Sequence, residues 1–224
     1  MKNHAMAVDS ARSLISTAQA ALFDFNGTLS LDEDLVGQLY ADAARELCGI
    51  ELGWEEYEER FVGISDLEIC AALAQGDQSL ATRILDHMCT AYIEEIRQRP
   101  RIPESHVRFV KDLAASGVKV AIVTGTMRRL LEPALEASGL APVVEATVCC
   151  DDVSIGKPDP EGFVRGAALF GVEPAQAIIF EDSYAGIGAA RAAGMECILV
   201  GPLAESAPEG THPVGDLAML ASKS

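Results

Sequence analysis

Residues 20–28 read AALFDFNGT, and residues 118–126 read VKVAIVTGT. Each is a short apolar run that gives way at its carboxyl end to small and polar residues: Asp24 and Asn26-Gly27-Thr28 in the first, Thr124-Gly125-Thr126 in the second. Runs this short, rich in β-branched side chains and lacking polar alternation, predict strands buried on both faces, the habit of a parallel sheet. Strands are predicted over 20–25 and 118–124, with three more over 143–149, 177–180 and 197–200. Helical patterns separate them. Val107, Val110, Leu113 and Ala114 share a face, and Gly117 stands where a helix ends. Residues 161–170 follow Pro160, a good helix starter. Residues 183–193 stop at Gly194. Pro133 within 127–138 predicts a helix that begins near Leu130 or kinks. Strand and helix in alternation predict an α/β fold with a Rossmann-like parallel sheet covered on both sides.

Between the first two strands the composition changes. Residues 32–99 hold sixteen Asp and Glu against five Arg and no Lys. Their apolar residues fall at helical spacing: Leu35, Leu39, Ala43; Ile69, Leu73; Ile84, Leu85, Met88. Pro100 and Pro103 close the stretch. The predicted organisation is a core made of 1–30 and 100–224, interrupted by an all-helical module over 31–99 that would move on hinges near 29–32 and 99–103.

The 224-residue chain is 49 % apolar and 23 % charged, with a net charge of −17. That is a globular composition, and its charge argues against nucleic acid or anionic membrane as a partner. No seven-residue apolar core marks the first twenty residues as a secretory signal, and no run of ~18 apolar residues is present. The expectation is a cytoplasmic protein whose six cysteines are reduced, buried thiols.

Polar clusters stand at the ends of four of the strands. They are Asp24 with Asn26-Gly27-Thr28; Thr124-Gly125-Thr126; Asp151-Asp152 and Gly156-Lys157-Pro158; and Glu181-Asp182-Ser183. Ligands of open α/β sheets bind beyond the carboxyl ends of the strands, so these clusters are expected to converge. Carboxylates suit a divalent ion with hard oxygen ligands. A lysine, a hydroxyl and backbone amides suit a phosphoryl group.

In this order the clusters resemble the four motifs of the haloacid dehalogenase superfamily. FDFNGTL (23–29) is similar to the first, IVTGT (122–126) to the second, GKPDPEGF (156–163) to the third and FEDSYAGIGAARAAG (180–194) to the fourth. The helical module sits where the cap of the phosphoglycolate phosphatase and β-phosphoglucomutase-like branch lies. The resemblance implies a Mg²⁺-dependent phosphatase acting on a small phosphorylated metabolite through an aspartyl-phosphate. It implies Asp24 as nucleophile and Mg²⁺ held by Asp24, the Asn26 carbonyl and Asp182, with Glu181 acting through water. Gly27, Thr124 and Gly125 would bind the phosphoryl oxygens, and Lys157 would bridge phosphoryl and nucleophile. In the cap, Phe61–Asp66 is similar to the branch's substrate-specificity loop, with Gly63 and Ser65 as contacts.

Asn26 departs from the family pattern, which has an aspartate there to protonate the leaving oxygen and then deprotonate water. Asparagine keeps the backbone carbonyl but exchanges no proton, and losing a general acid–base costs ~10²–10⁴ in rate. Three readings are open: an introduced substitution; a natural form with slow turnover or an undemanding leaving group; or a silent scaffold that binds a phosphorylated ligand. A phosphomutase is disfavoured by Asn26 and by the absence of basic residues in the cap loop. A phosphonoacetaldehyde hydrolase needs a cap lysine, which 32–99 lacks. A metal-free dehalogenase has no use for the pair Glu181-Asp182. His87 is the cap's one candidate for an alternative acid.

Overall fold

The computed structural model describes residues 2–221; residues 1 and 222–224 of the expected core range lie outside them. Helix α1 (Lys2–Thr17) leads into β1 (Ala20–Phe23). Four helices come next: α2 (Glu33–Ala43), α3 (Trp54–Phe61), α4 (Asp66–Leu73) and α5 (Gln78–Gln98). The chain then alternates through α6 (Glu104–Ala115), β2 (Lys119–Val123), α7 (Arg128–Ser138), β3 (Ala146–Val148), α8 (Glu161–Phe170), β4 (Ala177–Glu181), α9 (Tyr184–Ala193), β5 (Glu196–Leu199) and β6 (Thr211–Pro213). The six strands form one parallel sheet in the order β3-β2-β1-β4-β5-β6. Among the described residues no helix is long and apolar enough to cross a membrane.

Two-sided burial accounts for the unbroken apolar runs. On one face Ala21, Phe23, Val120, Ile122, Ile178 and Phe180 pack with Phe109, Val110 and Leu113 of α6. Phe23 and Phe180 stack at 4.3 Å, and Phe109 meets both edge-on. On the other face Ala20, Leu22, Ala121, Val123 and Ile179 pack with Phe163 and Ala167 of α8 and Ala189 and Ala190 of α9. The expected α/β fold with a parallel sheet is present.

Several boundaries differ from expectation for identifiable reasons. β1 stops at Phe23: Asp24 N–H still donates to the Phe180 carbonyl (2.9 Å), but the Phe25 carbonyl turns to accept from Leu29 and Ser30. β3 begins at Ala146, because Val143 and Val144 donate to the Leu140 carbonyl in a turn. Helix α7 begins at Arg128 and carries Pro133 in its interior, so the start near Leu130 is not found. α1 and β6 are not among the expected elements, although Val8, Ala11 and Ile15 of α1 fall at helical spacing on the core side. β6 is three half-buried residues at the sheet edge, one of them proline, where a missing N–H is tolerated. It is held by α1, whose Ser10 hydroxyl meets His212 at 3.1 Å.

The helical segment between β1 and α6 buries the expected positions Leu35, Leu39, Ala43, Ile69, Leu73, Ile84 and Met88, while Leu85 is half-buried at the edge of the core. Its two crossings to the core are tied together by Leu31 N–H donating to the Arg101 carbonyl (3.0 Å). The six cysteines are free thiols, five of them buried.

Candidate active site

The carboxyl ends of β1, β2 and β4 and the loop before α8 meet under the cap at an open cleft of ≈ 560 Å³. It is lined by Asp24, Asn26, Thr124, Gly125, Lys157, Glu181 and Asp182 from the core, and by Gly63 from the cap, among others. Gly27 lies behind it, with φ +78°, in contact with Asp182: a β-carbon there would come within 2.8 Å of the Asp182 Cγ. Only glycine leaves room for that carboxylate.

Lys157 sits between two carboxylates. Its ammonium donates to Asp24 Oδ1 and to Glu181 Oε1 (2.6 Å) and lies 5.0 Å from the centroid of the Phe163 ring. Burial alone would lower its pKa; Asp24 and Glu181 outweigh that and hold it above its ordinary value. The other Glu181 oxygen accepts from the N–H groups of Asp182 and Ser183, both at 2.8 Å, and from the Ser183 hydroxyl. Glu181 thus locks Lys157 to the start of α9. Asp182 accepts from the Thr28 hydroxyl (2.9 Å).

Three carboxylates face one cation. Burial pushes Asp24 up to about 7, against the lowering effect of Lys157. Burial, then Glu181 and Asp24, drive Asp182 well above the usual carboxylate range. Ligand oxygens of Asp24, Glu181 and Asp182 all lie within 4.8 Å of one another. This donor set of buried, charge-uncompensated hard oxygens fits a divalent cation. A second close group, Cys149, Asp151 and Asp152, does not. Asp152 is paired with Arg128 (2.5 Å), the Cys149 thiol is pushed up to about 12 by burial, and Asp151 accepts from Arg128 N–H.

Asn26 is held at both ends of its amide. Its Nδ2 donates to Asp32 Oδ1 (2.9 Å), and its Oδ1 accepts from the Thr126 hydroxyl. Asp32 is fully buried and takes a second hydrogen bond from Tyr92 (2.5 Å). Burial raises its pKa. The Gly27 N–H is likewise committed, to the Ser30 carbonyl (2.8 Å). An Asn-Gly pair deamidates when that nitrogen attacks the side-chain amide, and here both groups are engaged. Native protein is therefore expected to keep Asn26, with conversion to aspartate or isoaspartate confined to denatured samples. Peptide mapping of aged native and urea-treated protein checks this; equal conversion in both would contradict it.

The cap loop reaches the core. Gly63 (φ +81°) faces Ser183 of the α9 cap, and Asp66 N–H donates to the Gly125 carbonyl (3.2 Å). The Asp66 carboxylate accepts from Met127 N–H (2.9 Å) and from Tyr40 (2.7 Å). The Ser65 hydroxyl caps α4 in a reciprocal arrangement with Glu68 and is not among the residues lining this cleft. Thr124 accepts from Thr126 N–H (3.0 Å), which fixes the turn after β2. His87 is half-buried on α5 and is not among the residues lining the cleft. Sequence reading passed over Asp32, Thr126, Ser183, Glu33 and Tyr57. Thr126 and Ser183 stood within quoted motifs; Asp32 and Glu33 were submerged in the acidic run.

A haloacid dehalogenase-like hydrolase family model matches residues 18–194. Validoxylamine A 7'-phosphate phosphatase of Streptomyces hygroscopicus subsp. limoneus is 32 % identical over 185 residues, covering 80 % of this chain and 84 % of its own. A phosphorylated carbohydrates phosphatase of Thermotoga maritima is 29 % identical over 186 residues, covering 80 % and 83 %. Among solved structures, CbbY of Rhodobacter sphaeroides in complex with xylulose-(1,5)bisphosphate superposes with a TM-score of 0.78 at 22 % identity, covering 92 % of this chain and 100 % of that one.

Proposed function

Because the chain belongs to the haloacid dehalogenase-like hydrolases, and is a phosphatase of that family, we propose that it hydrolyses the phosphate monoester of a small sugar-like metabolite through Asp24. The observation that carries this reading is the Asp24–Lys157–Glu181–Asp182 cluster at the floor of a cleft that the cap covers. The names of the relatives, a phosphatase of validoxylamine 7'-phosphate and one of phosphorylated carbohydrates, support the substrate class.

Asp24 attacks phosphorus in line with the ester oxygen. The P–O bond to the alcohol breaks, and Asp24 carries the phosphoryl group until water displaces it. Lys157 neutralises the nucleophile's neighbourhood and lies within reach of an equatorial phosphoryl oxygen; the Thr124 hydroxyl and Gly125 backbone flank the same space. Mg²⁺ would be held by the carboxylates of Asp24 and Asp182 and the Asn26 carbonyl, and when bound it screens the charges of carboxylate and phosphate that would otherwise repel. Asn26 supplies no proton to the leaving alcohol, so turnover of unactivated esters is slow for this family.

Calorimetric titration with Mg²⁺ tests the metal part. Wild type is expected to bind one ion, and Asp182→Ala to lose that heat, because Asp182 supplies one of the two carboxylates that would hold it directly. Equal binding by both proteins would remove Asp182 from the ligand set. Release of inorganic phosphate from a panel of sugar monophosphates tests the reaction; release that persists unchanged in Asp24→Asn would overturn it.

A further inference from the structure

The cap wall of the cleft holds a carboxylate that phosphoryl transfer does not use. On that side the lining from Glu33 to Ile69 is apolar apart from three polar side chains, Glu33, Tyr57 and Asp66. Asp66 is committed to Tyr40 and Met127 N–H. Tyr57 donates to Glu33 Oε1 (2.9 Å). Oε2 of Glu33 has no protein partner among the described residues.

The orientation of Glu33 is rigidly set. Tyr57 is 2 % exposed and packed against the rings of Tyr40, Trp54 and Phe61 at 5.7–6.3 Å. Gly37 lets α2 and α3 approach: a β-carbon there would come within 2.8 Å of Trp54 and 2.9 Å of Tyr57. Glu33 on α2 is thereby pinned by a residue of α3 that cannot swing away.

Among the described residues no cation pairs with it. None of the five arginines of 32–99 lines the cleft, and Lys157 is shared by Asp24 and Glu181. Burial raises the Glu33 carboxyl above its ordinary value, with Asp32, Asp66 and Asp34 adding to the effect. A hydrogen-bond donor from the substrate relieves that penalty; a second anionic group in the same space increases it.

Resting on the phosphatase reading above, we propose that Glu33, aimed by Tyr57, is a specificity-determining subsite that accepts hydrogen bonds from a hydroxyl or protonated amine of the leaving alcohol. The enzyme then selects monophosphates of polyols and amino sugars and rejects bisphosphates.

Phosphate release in the presence of Mg²⁺, measured on glucose 6-phosphate, glucosamine 6-phosphate, fructose 1,6-bisphosphate and nitrophenyl phosphate, tests this with wild type, Glu33→Gln and Tyr57→Phe. Wild type is expected to use both monophosphates with kcat/KM about ten-fold or more above the bisphosphate, the scale of a hydrogen bond to a charged group. In Glu33→Gln the ratio of monophosphate to nitrophenyl phosphate kcat/KM should fall by about the same factor, mainly through KM. The fall should be larger for glucosamine 6-phosphate if the donor is an ammonium, and equal for both sugars if it is a hydroxyl. Tyr57→Phe should show the same pattern more weakly. A uniform loss on all four substrates, an unchanged ratio, or a preference for the bisphosphate would overturn the proposal. Should no substrate release phosphate, the phosphatase reading fails. Glu33 is then judged by calorimetric binding of glucosamine 6-phosphate, where equal affinity in wild type and Glu33→Gln overturns the subsite.

Discussion

Asp24→Asn is expected to lower phosphate release by ~10⁴-fold or more, the loss seen when a nucleophile that forms the covalent intermediate is removed. The variant keeps shape and hydrogen-bonding capacity, so folding is not the reason. Asparagine can still accept from Lys157, and the Asp24 N–H bond to the Phe180 carbonyl is a backbone contact. The loss is of an anionic oxygen able to attack phosphorus. No other side chain stands in for it. Glu181 is fully buried and spends its oxygens on Lys157 and on the backbone of residues 182 and 183, and Asp182 is held by Thr28. Residual turnover within ten-fold of wild type would transfer the nucleophile's role elsewhere.

Asn26→Asp is expected to act in the opposite direction, raising hydrolysis of unactivated phosphate esters by ~10–10³-fold, a range that overlaps the ~10²–10⁴ typical of general acid–base catalysis. The structure adds a reason beyond restoring an acid. Asn26 Nδ2 donates to Asp32 Oδ1, so an aspartate at 26 would set two carboxylates at hydrogen-bond distance in a buried site. Two ionised carboxylates ~3 Å apart repel by about 5 kcal/mol even at an effective dielectric of ~20, so the pair retains one proton at neutral pH. That proton is the one a leaving alkoxide needs. The gain should shrink for nitrophenolate, which departs without protonation. In the swapped double variant Asn26→Asp with Asp32→Asn, the amide is back between them and the pair is broken. Its pH–rate profile should lose activity on the alkaline side at lower pH than that of Asn26→Asp alone, because the raised pKa depends on Asp32 being a carboxylate. Identical alkaline limbs would remove Asp32 from the account, and an unchanged rate in Asn26→Asp would remove position 26.

The sheet and the meeting of three strand ends with the loop before α8 were legible because both are local, whereas Asp151 and Asp152, expected with them, pair with Arg128 outside the cleft. A buried parallel strand shows as an apolar run, and the residues directly after that run lie at the strand's carboxyl end in space. Asp24, Lys157, Glu181 and Asp182 needed no more than that to be brought together. The layer behind them was not legible. Asp32 is the partner of Asn26 and of Tyr92, sixty residues away, and nothing in the acidic run distinguishes it from its solvated neighbours. Glu33 and Tyr57 meet only because α2 and α3 pack closely at Gly37. Ser65 also caps α4, and the spacing Ser65-x-x-Glu68 was present in the sequence as that signal. The edge strand β6 escaped because it is three half-buried residues held by α1 rather than by an apolar run of its own.

The proposed route takes phosphate through the Asp24 carboxylate, and the acyl phosphate itself can be trapped. Asn26 cannot activate water for the second step, so brief incubation with Mg²⁺ and acetyl phosphate, a donor whose leaving group needs no proton, should load the enzyme faster than it is hydrolysed. Intact mass should rise by one phosphoryl group, and borohydride reduction should convert the residue at position 24 alone to homoserine, with neither signal in Asp24→Asn. Phosphate released without a label on Asp24, or a label on another residue, would contradict the account.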